Sequence, residues 1–217
     1  MIKGILWDND GVLVDTEHLF YAVNRELFLE HQIALSEEDF FAWFLADNIG
    51  AWHLMAARGA TADQIGERRD ERNRRYGARL RSETGLAMQH IDSVLSRGAS
   101  RVPMGVVTSA RRADFDIIHA GLDLMRHFRF ALTAEDYRHS KPSPEPYLAG
   151  LDKLGVAAAD CLAVEDSPRG LQAARAAGIE CIVLRHRLMR NYRFDGAYRV
   201  VDTVAQLDAE IAALLPS

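Results

Sequence analysis

Hydrophobic positions follow two kinds of pattern along the chain, and the switch between them divides the sequence. Short runs that are apolar or β-branched occupy residues 3–7, 102–108, 130–133, 161–164, 180–184 and, more weakly, 198–201. Between them lie segments with helical spacing at 113–120, 144–154, 168–177 and 204–215. Such alternation predicts βαβ units and a mostly parallel sheet covered on both faces. The punctuation agrees. Ser143-Pro144 and Ser167-Pro168 each offer an N-cap serine followed by proline at the first helical position. Gly155 and Gly178 stand where those helices should stop.

Residues 17–84 pattern differently, with no convincing strand. Leu19, Phe20, Val23, Leu27 and Phe28 recur at helical spacing across 17–31. Ser36-Glu37-Glu38-Asp39 reads as a capping box opening an aromatic-rich helix through Phe40, Phe41, Trp43 and Phe44. Thr61-Ala62-Asp63-Gln64 opens a longer charged helix running to about Arg81. The predicted fold class is therefore α/β. It has a Rossmann-like, doubly wound parallel-sheet core from residues 1–16 and 85–217, and an all-α helical cap domain at 17–84. An insertion after the first strand would sit above that strand's carboxyl end, the position of a lid.

Bulk properties narrow the partners. The chain has 217 residues and a net charge of −5, which gives no electrostatic reason to expect nucleic acid or an anionic membrane. No apolar run approaches the roughly 20 residues that span a bilayer, and the N-terminus lacks the pattern of a signal peptide. The expectation is a cytoplasmic protein, monomeric or homodimeric. Cys161 and Cys181 fall in or beside apolar runs and read as small buried hydrophobes. Arginines 68, 69, 72, 74, 75, 79 and 81 alternate with acids and read as a solvated helix face. Lys3, Lys141 and Lys153 are the only lysines, so lysine chemistry has few places to reside.

Candidate chemistry gathers at the predicted strand ends. Asp8 and Asp10 emerge together after the first strand, and Glu165 and Asp166 do the same after the run at 161–164. In an open α/β sheet this is where ligands bind. Adjacent carboxylates hold their charge poorly without a cation, and these four together suit Mg²⁺, which favours hard oxygen ligands. Thr108 and Ser109 end the second strand in two hydroxyls facing a helix start, a ready anion site. Lys141 is followed by Pro142-Ser143-Pro144, and proline forces the residue before it into an extended conformation.

The ordered set Asp8-Asn9-Asp10-Gly11-Val12-Leu13, Thr108-Ser109, Lys141-Pro142-Ser143-Pro144 and Glu165-Asp166-Ser167 with Gly170 resembles the haloacid dehalogenase superfamily. The match is to its β-phosphoglucomutase and phosphoglycolate-phosphatase-like branch, which carries a helical cap. That resemblance implies Asp8 as nucleophile, forming an aspartyl-phosphate, and Asp10 as general acid and then base. It implies Mg²⁺ held by Asp8, the Asp10 backbone carbonyl, Asp166 and Glu165. Lys141 would neutralise Asp8 and a phosphoryl oxygen, and Thr108 or Ser109 would donate to the phosphoryl group. The charge problem is real: unit charges at ~4 Å repel by ~4 kcal/mol at an effective dielectric of about 20.

Within the superfamily, Asp10 argues against a dehalogenase. The stretch from Thr16 to Gly85 contains no lysine for the Schiff base of a phosphonate-cleaving relative. Phe20 stands where β-phosphoglucomutase-like members carry a cap histidine, so hydrolysis is favoured over phosphomutase activity. The implied function is a Mg²⁺-dependent phosphatase acting on a small phosphorylated metabolite, a sugar phosphate or phosphoglycolate-like compound. The alternatives are a sugar phosphomutase and a catalytically idle binding protein on the same fold. Three departures from the family pattern stand out. Asn9 replaces an apolar residue, and its side chain is expected to point away from the site onto a backbone neighbour. Met88-Gln89 replaces Pro-Gly at the return from the cap, and residues 44–52 lack the common glycine–hydroxyl loop. Trp43, Trp52, His53, Arg58, Arg111 and Arg112 are candidates for lining the substrate space.

Overall fold

The computed structural model describes residues 1–216 and divides the chain into two compact units. One comprises Met1–Asp15 together with the chain from Leu86 onward; the other is Thr16–Gly85.

The first unit is built on six strands: β1 (Gly4–Trp7), β2 (Met104–Val107), β3 (Ala131–Leu132), β4 (Cys161–Glu165), β5 (Glu180–Leu184) and β6 (Arg199–Val201). They form one sheet in the order β3-β2-β1-β4-β5-β6, with every neighbouring pair parallel. This is the doubly wound arrangement expected from the strand–helix alternation. Central β1 has no exposed residue: Ile5, Leu6 and Trp7 are all fully buried, which is why its sequence is apolar throughout. Flanking helices in this unit are α5 (Ile91–Ala99), α6 (Arg112–His119), α7 (Glu145–Leu154), α8 (Pro168–Ala176) and α9 (Val204–Leu214). Helix α7 packs on β1 and β2, and α8 on β4 and β5.

The strand order has one consequence for function. Chain direction reverses its lateral progress between β1 and β4, so the carboxyl ends of these two neighbours frame the crevice of the sheet. Asp8 follows β1 directly, while Glu165 ends β4.

Local signals act largely as expected. Ser167 Oγ accepts from Gly170 N at 3.1 Å and caps α8, with Pro168 at its first position. Gly155 (φ +69°) and Gly178 (φ +79°) take the left-handed conformation that ends a helix. The start of α7 differs. Pro144 occupies the N-cap position, one residue later than expected, although Ser143 Oγ still accepts from Glu145 N at 3.3 Å, two residues on, as a capping serine does. Helix α5 had no clear signature in the patterning. At the chain's return, Met88 N donates to Leu13 O at 2.9 Å, a bond that a proline at this position could not make.

The second unit contains α1 (Glu17–Glu30), α2 (Glu37–Phe40), α3 (Trp52–Ala57) and α4 (Ala62–Ser82). Both anticipated capping boxes are formed, Ser36 with Asp39 and Thr61 with Gln64. The aromatic stretch after Phe40 is not an ordinary helix, since Phe41–Ala46 widens into a π-helical turn. Phe40 and Phe44 stack at 5.1 Å, while Phe20 meets Phe40, Phe44 and Tyr76 edge-on. The arginine-rich helix α4 is laced with ion pairs, Arg75 bridging Glu71 and Glu30 and Arg79 reaching Glu26. Its arginines are not all simply solvated, however: Arg69 lies over Trp52 and Arg72 over Phe20. Cys161 and Cys181 are both buried free thiols. Among the described residues, no helix is long and apolar enough to cross a membrane.

Candidate active site

Four loops deliver polar groups to the carboxyl ends of β1, β2 and β4. Asp8 leaves β1 with its N–H donating to Val164 O at 2.9 Å, so the neighbouring strand fixes the start of the loop. One carboxylate oxygen, Oδ1, accepts from Asn9 N at 2.8 Å and lies 3.0 Å from Lys141 Nζ. Lys141 is 1 % exposed; its ammonium also donates to Glu165 Oε1 at 2.6 Å and to Val107 O at 2.9 Å. A buried ammonium with three acceptors around it has every donor proton satisfied.

Glu165 is the anchor. It is fully buried, and Tyr147 Oη donates to Oε1 at 2.7 Å. The backbone N–H of Asp166 and the hydroxyl of Ser167 reach Oε2 at 3.2 and 3.3 Å. Asp166 is 3 % exposed, and its carboxylate with those of Asp8 and Glu165 places one oxygen each within 4.8 Å of the others. Two glycines permit this crowding. A Cβ at Gly11, which has φ +77°, would stand 2.1 Å from Asp166 Oδ2, and one at Gly170 would stand 1.9 Å from Glu165 Oε2.

Charge follows geometry. Burial and the nearby Glu165 push the Asp8 carboxyl up to about 8, against the opposing pull of Lys141. Burial also works against the Glu165 anion, yet the charge and hydrogen bond of Lys141 prevail and hold it below the usual carboxylate range. Lys141 is held above the usual lysine range; Asp8 and Glu165 outweigh its desolvation. Three carboxylates against one ammonium leave two negative charges uncompensated when all are ionised. The donor set is all hard oxygen, buried and convergent, and fits a divalent cation of the Mg²⁺ type.

The remaining predicted residues have distinct surroundings. Asp10 lies outside the carboxylate cluster, and its Oδ2 accepts from Asn9 Nδ2 at 3.1 Å. Thr108 is buried, its Oγ1 accepting from Ala110 N at 3.0 Å and its carbonyl accepting from Tyr137 Oη at 2.7 Å. Ser109 Oγ is buried beside the Tyr137 hydroxyl. Arg111 and Arg112 are tied up rather than poised: Arg111 forks onto Asp114, and Arg112 pairs with Asp136 and lies over Phe115. Within the helical unit, Trp52 is buried against Phe28, Trp43 meets His53 edge-on, and Arg58 donates to His31 O.

Asn9 departs from expectation. It is fully buried, but its side chain is satisfied by two side chains and not by backbone: Asp10 on one side and His119 on the other, with His119 Nε2 2.7 Å from Oδ1. Tyr147 and His119 are the polar partners that reading the sequence did not single out. Neither sits in a motif, and each meets the site through the fold, 18 and 110 residues from its partner.

Fold and site together define a doubly wound α/β protein that concentrates carboxylates and one buried lysine at the carboxyl ends of a parallel sheet. The chain belongs to the haloacid dehalogenase-like hydrolases, whose family model matches residues 5–184. It is 28 % identical to fructose-1-phosphate phosphatase YqaB of Escherichia coli (strain K12), over 84 % of this chain and 96 % of that protein. It is 26 % identical to phosphoglycolate phosphatase of Pectobacterium atrosepticum, over 99 % and 92 % of the two chains. Its fold matches the crystal structure of β-phosphoglucomutase from Clostridium difficile with a TM-score of 0.81 at 21 % identity, covering 98 % of this chain and 96 % of that one.

Proposed function

We propose that this hydrolase is a Mg²⁺-dependent phosphatase that releases phosphate from a small phosphorylated metabolite, a sugar phosphate or a phosphoglycolate-like compound. The observation that carries the reading is the buried Asp8–Lys141–Glu165 array. It holds one carboxylate oxygen of Asp8 against a cation and leaves the residue 8 % exposed at the sheet's crevice. Relatives named as phosphatases of fructose 1-phosphate and of phosphoglycolate support the substrate class.

Asp8 attacks phosphorus; the new bond forms from its carboxylate oxygen as the ester P–O bond breaks, giving an aspartyl-phosphate. Asp10 gives a proton to the departing oxygen, which leaves as an alcohol. Asp10, now a carboxylate, then accepts a proton from water as that water attacks phosphorus, and Asp8 is released with inorganic phosphate. Lys141 neutralises Asp8 and offers an equatorial phosphoryl oxygen its charge, its protons being already taken, while the buried Ser109 hydroxyl would donate to another. Asp8, the Asp10 carbonyl and Asp166 would hold the metal; Glu165, with both oxygens already hydrogen-bonded, serves chiefly to anchor Lys141. When bound, Mg²⁺ supplies positive charge that offsets the repulsion between carboxylate and phosphate dianion.

Hydrolysis is preferred over mutase chemistry because position 20 carries an apolar ring packed among Phe40, Phe44 and Tyr76, with no acid–base group to offer. The test is a panel of phosphomonoesters assayed with Mg²⁺ and with EDTA, beside Asp8→Asn. Metal-dependent phosphate release lost in the variant is expected. Turnover that survives in Asp8→Asn would sink the nucleophile assignment, and isomerised β-glucose 1-phosphate without free phosphate would replace hydrolase by mutase.

A further inference from the structure

Asn9 is fully buried between the two aspartates, a costly place for an amide unless every polar atom is paired. Its backbone is pinned on both sides: N–H donates to Asp8 Oδ1, and C=O accepts from Leu13 N at 2.8 Å and Val14 N at 3.2 Å. The side chain then faces two partners that dictate its orientation. His119, the last residue of α6, brings Nε2 to 2.7 Å from Oδ1. Because an amide oxygen only accepts, Nε2 must carry the proton. The other ring nitrogen, Nδ1, is buried with no partner, and burial pushes the imidazole down to about 4, so the ring is neutral and its tautomer fixed. Phe115, one helical turn earlier, holds the ring at a centroid distance of 4.3 Å. With Oδ1 committed to His119, the amide turns Nδ2 toward Asp10 and donates to Oδ2 at 3.1 Å. The result is a directional chain, imidazole N–H to amide oxygen and amide N–H to carboxylate, in which each bond polarises the next.

An apolar residue at position 9 would fill the same space and leave Asp10 without this donor. A general acid has to stand within about 2.6–3.2 Å of the oxygen it protonates, and misplacement by about 1 Å costs on the order of 10²-fold in rate. We infer that Asn9 and His119 are positioning residues for Asp10, the imidazole aligning the amide and the amide aligning the carboxyl group that exchanges a proton with the leaving oxygen; this rests on the phosphatase reading above.

Leaving-group dependence tests it. Phenyl phosphate needs its departing oxygen protonated far more than 4-nitrophenyl phosphate does, and kcat/KM reports the step in which that oxygen leaves. Asn9→Leu and His119→Leu are expected to lose at least about tenfold more kcat/KM on phenyl phosphate than on 4-nitrophenyl phosphate, with KM little changed. His119→Gln, whose amide nitrogen can stand in for Nε2, is expected to recover most of the loss. Equal losses on both substrates, or none, would overturn the inference, because a merely structural pair has no reason to distinguish leaving groups. Asp10→Asn separates the two levels of the argument. If it shows the leaving-group dependence and the Asn9 and His119 variants do not, the positioning role fails and the phosphatase reading stands. If Asp10→Asn shows none, or the wild type turns over neither ester, both fail together. Should Asn9→Leu not fold, the comparison of His119→Leu with His119→Gln decides.

Discussion

Removing the charge of Lys141 offers the sharpest measure of what the buried array costs and does. In Lys141→Met the ammonium that touches Asp8 Oδ1 at 3.0 Å and Glu165 Oε1 at 2.6 Å is replaced by an apolar chain of similar length. Two buried carboxylates then face each other with oxygens no more than 4.8 Å apart, a repulsion of at least about 3.5 kcal/mol at an effective dielectric of about 20. The cheaper response is protonation. Asp8 already titrates near 8 in the metal-free protein, so Glu165 is the group that must take up a proton. From an ordinary value of 4.5, neutralising it at pH 7 costs about 3.4 kcal/mol, within the ~3–5 kcal/mol typical of breaking a buried ion pair. At ~2–4 °C per kcal/mol for a chain of this size, Tm should fall by about 7–14 °C at pH 7.

The pH dependence carries the refutation. In the wild type Lys141 holds Glu165 below 4.5, so this carboxylate contributes stability above that pH and loses it as pH falls through the lowered value. In Lys141→Met the same group is raised, and its cost disappears as pH approaches 4.5. At pH 5 only about 0.7 kcal/mol of the charge cost remains, so the Tm deficit should be smaller than at pH 7 by about 5–11 °C. Differential scanning calorimetry in EDTA at the two pH values decides. A deficit that is the same at pH 5 and pH 7 would mean that lost packing, not uncompensated charge, explains the effect, and the electrostatic account of the array would be wrong.

Two further outcomes follow from the same site. Gly170→Ala should lower the guanidinium midpoint even though alanine favours a helix interior by about 1 kcal/mol, because its Cβ would stand 1.9 Å from Glu165 Oε2; an unchanged or raised midpoint would show that Glu165 can move aside freely. The stabilisation conferred by Mg²⁺ should grow with pH. Burial and Glu165 raise Asp8 to about 8 in the folded, metal-free protein against 3.8 ordinarily, so the folded state holds a proton the unfolded chain has shed. Metal-free stability therefore declines as pH rises between about 4 and 8, while a cation competing with that proton gains. Thermal shifts with and without Mg²⁺ that stay constant across this window would contradict the raised value.

The fold and most of the site were legible because their signals are local. Six strands could be read from apolar runs, and two capping boxes and two glycine stops from three- or four-residue patterns, since each is dictated by neighbours along the chain. Asp8, Glu165 and Asp166 could be placed together because each ends a strand or directly follows one, and a parallel sheet puts all such ends on one side. The misreadings have a common physical origin. Ser143 lost its place as the N-cap by a single residue of register, and the widening at Phe41–Ala46 has no mark in the spacing of its apolar residues. Tyr147 and His119 carry no local mark at all, because what makes them functional partners is a neighbour supplied by the sheet.

Asn9 shows most clearly why such residues escape a one-dimensional reading. Judged by position, the residue between two strand-end aspartates alternates away from them and belongs in the apolar layer, so an amide there looks like a defect. Judged by its surroundings it is the one side chain that can accept from a ring on α6 and donate to Asp10 at the same time. Leucine could fill the volume, aspartate would set a third charge beside Asp8 and Asp10, and serine would be too short to span both partners. The demand for an acceptor on one side and a donor on the other selects an amide. That demand exists only once β1 and α6 have been brought together.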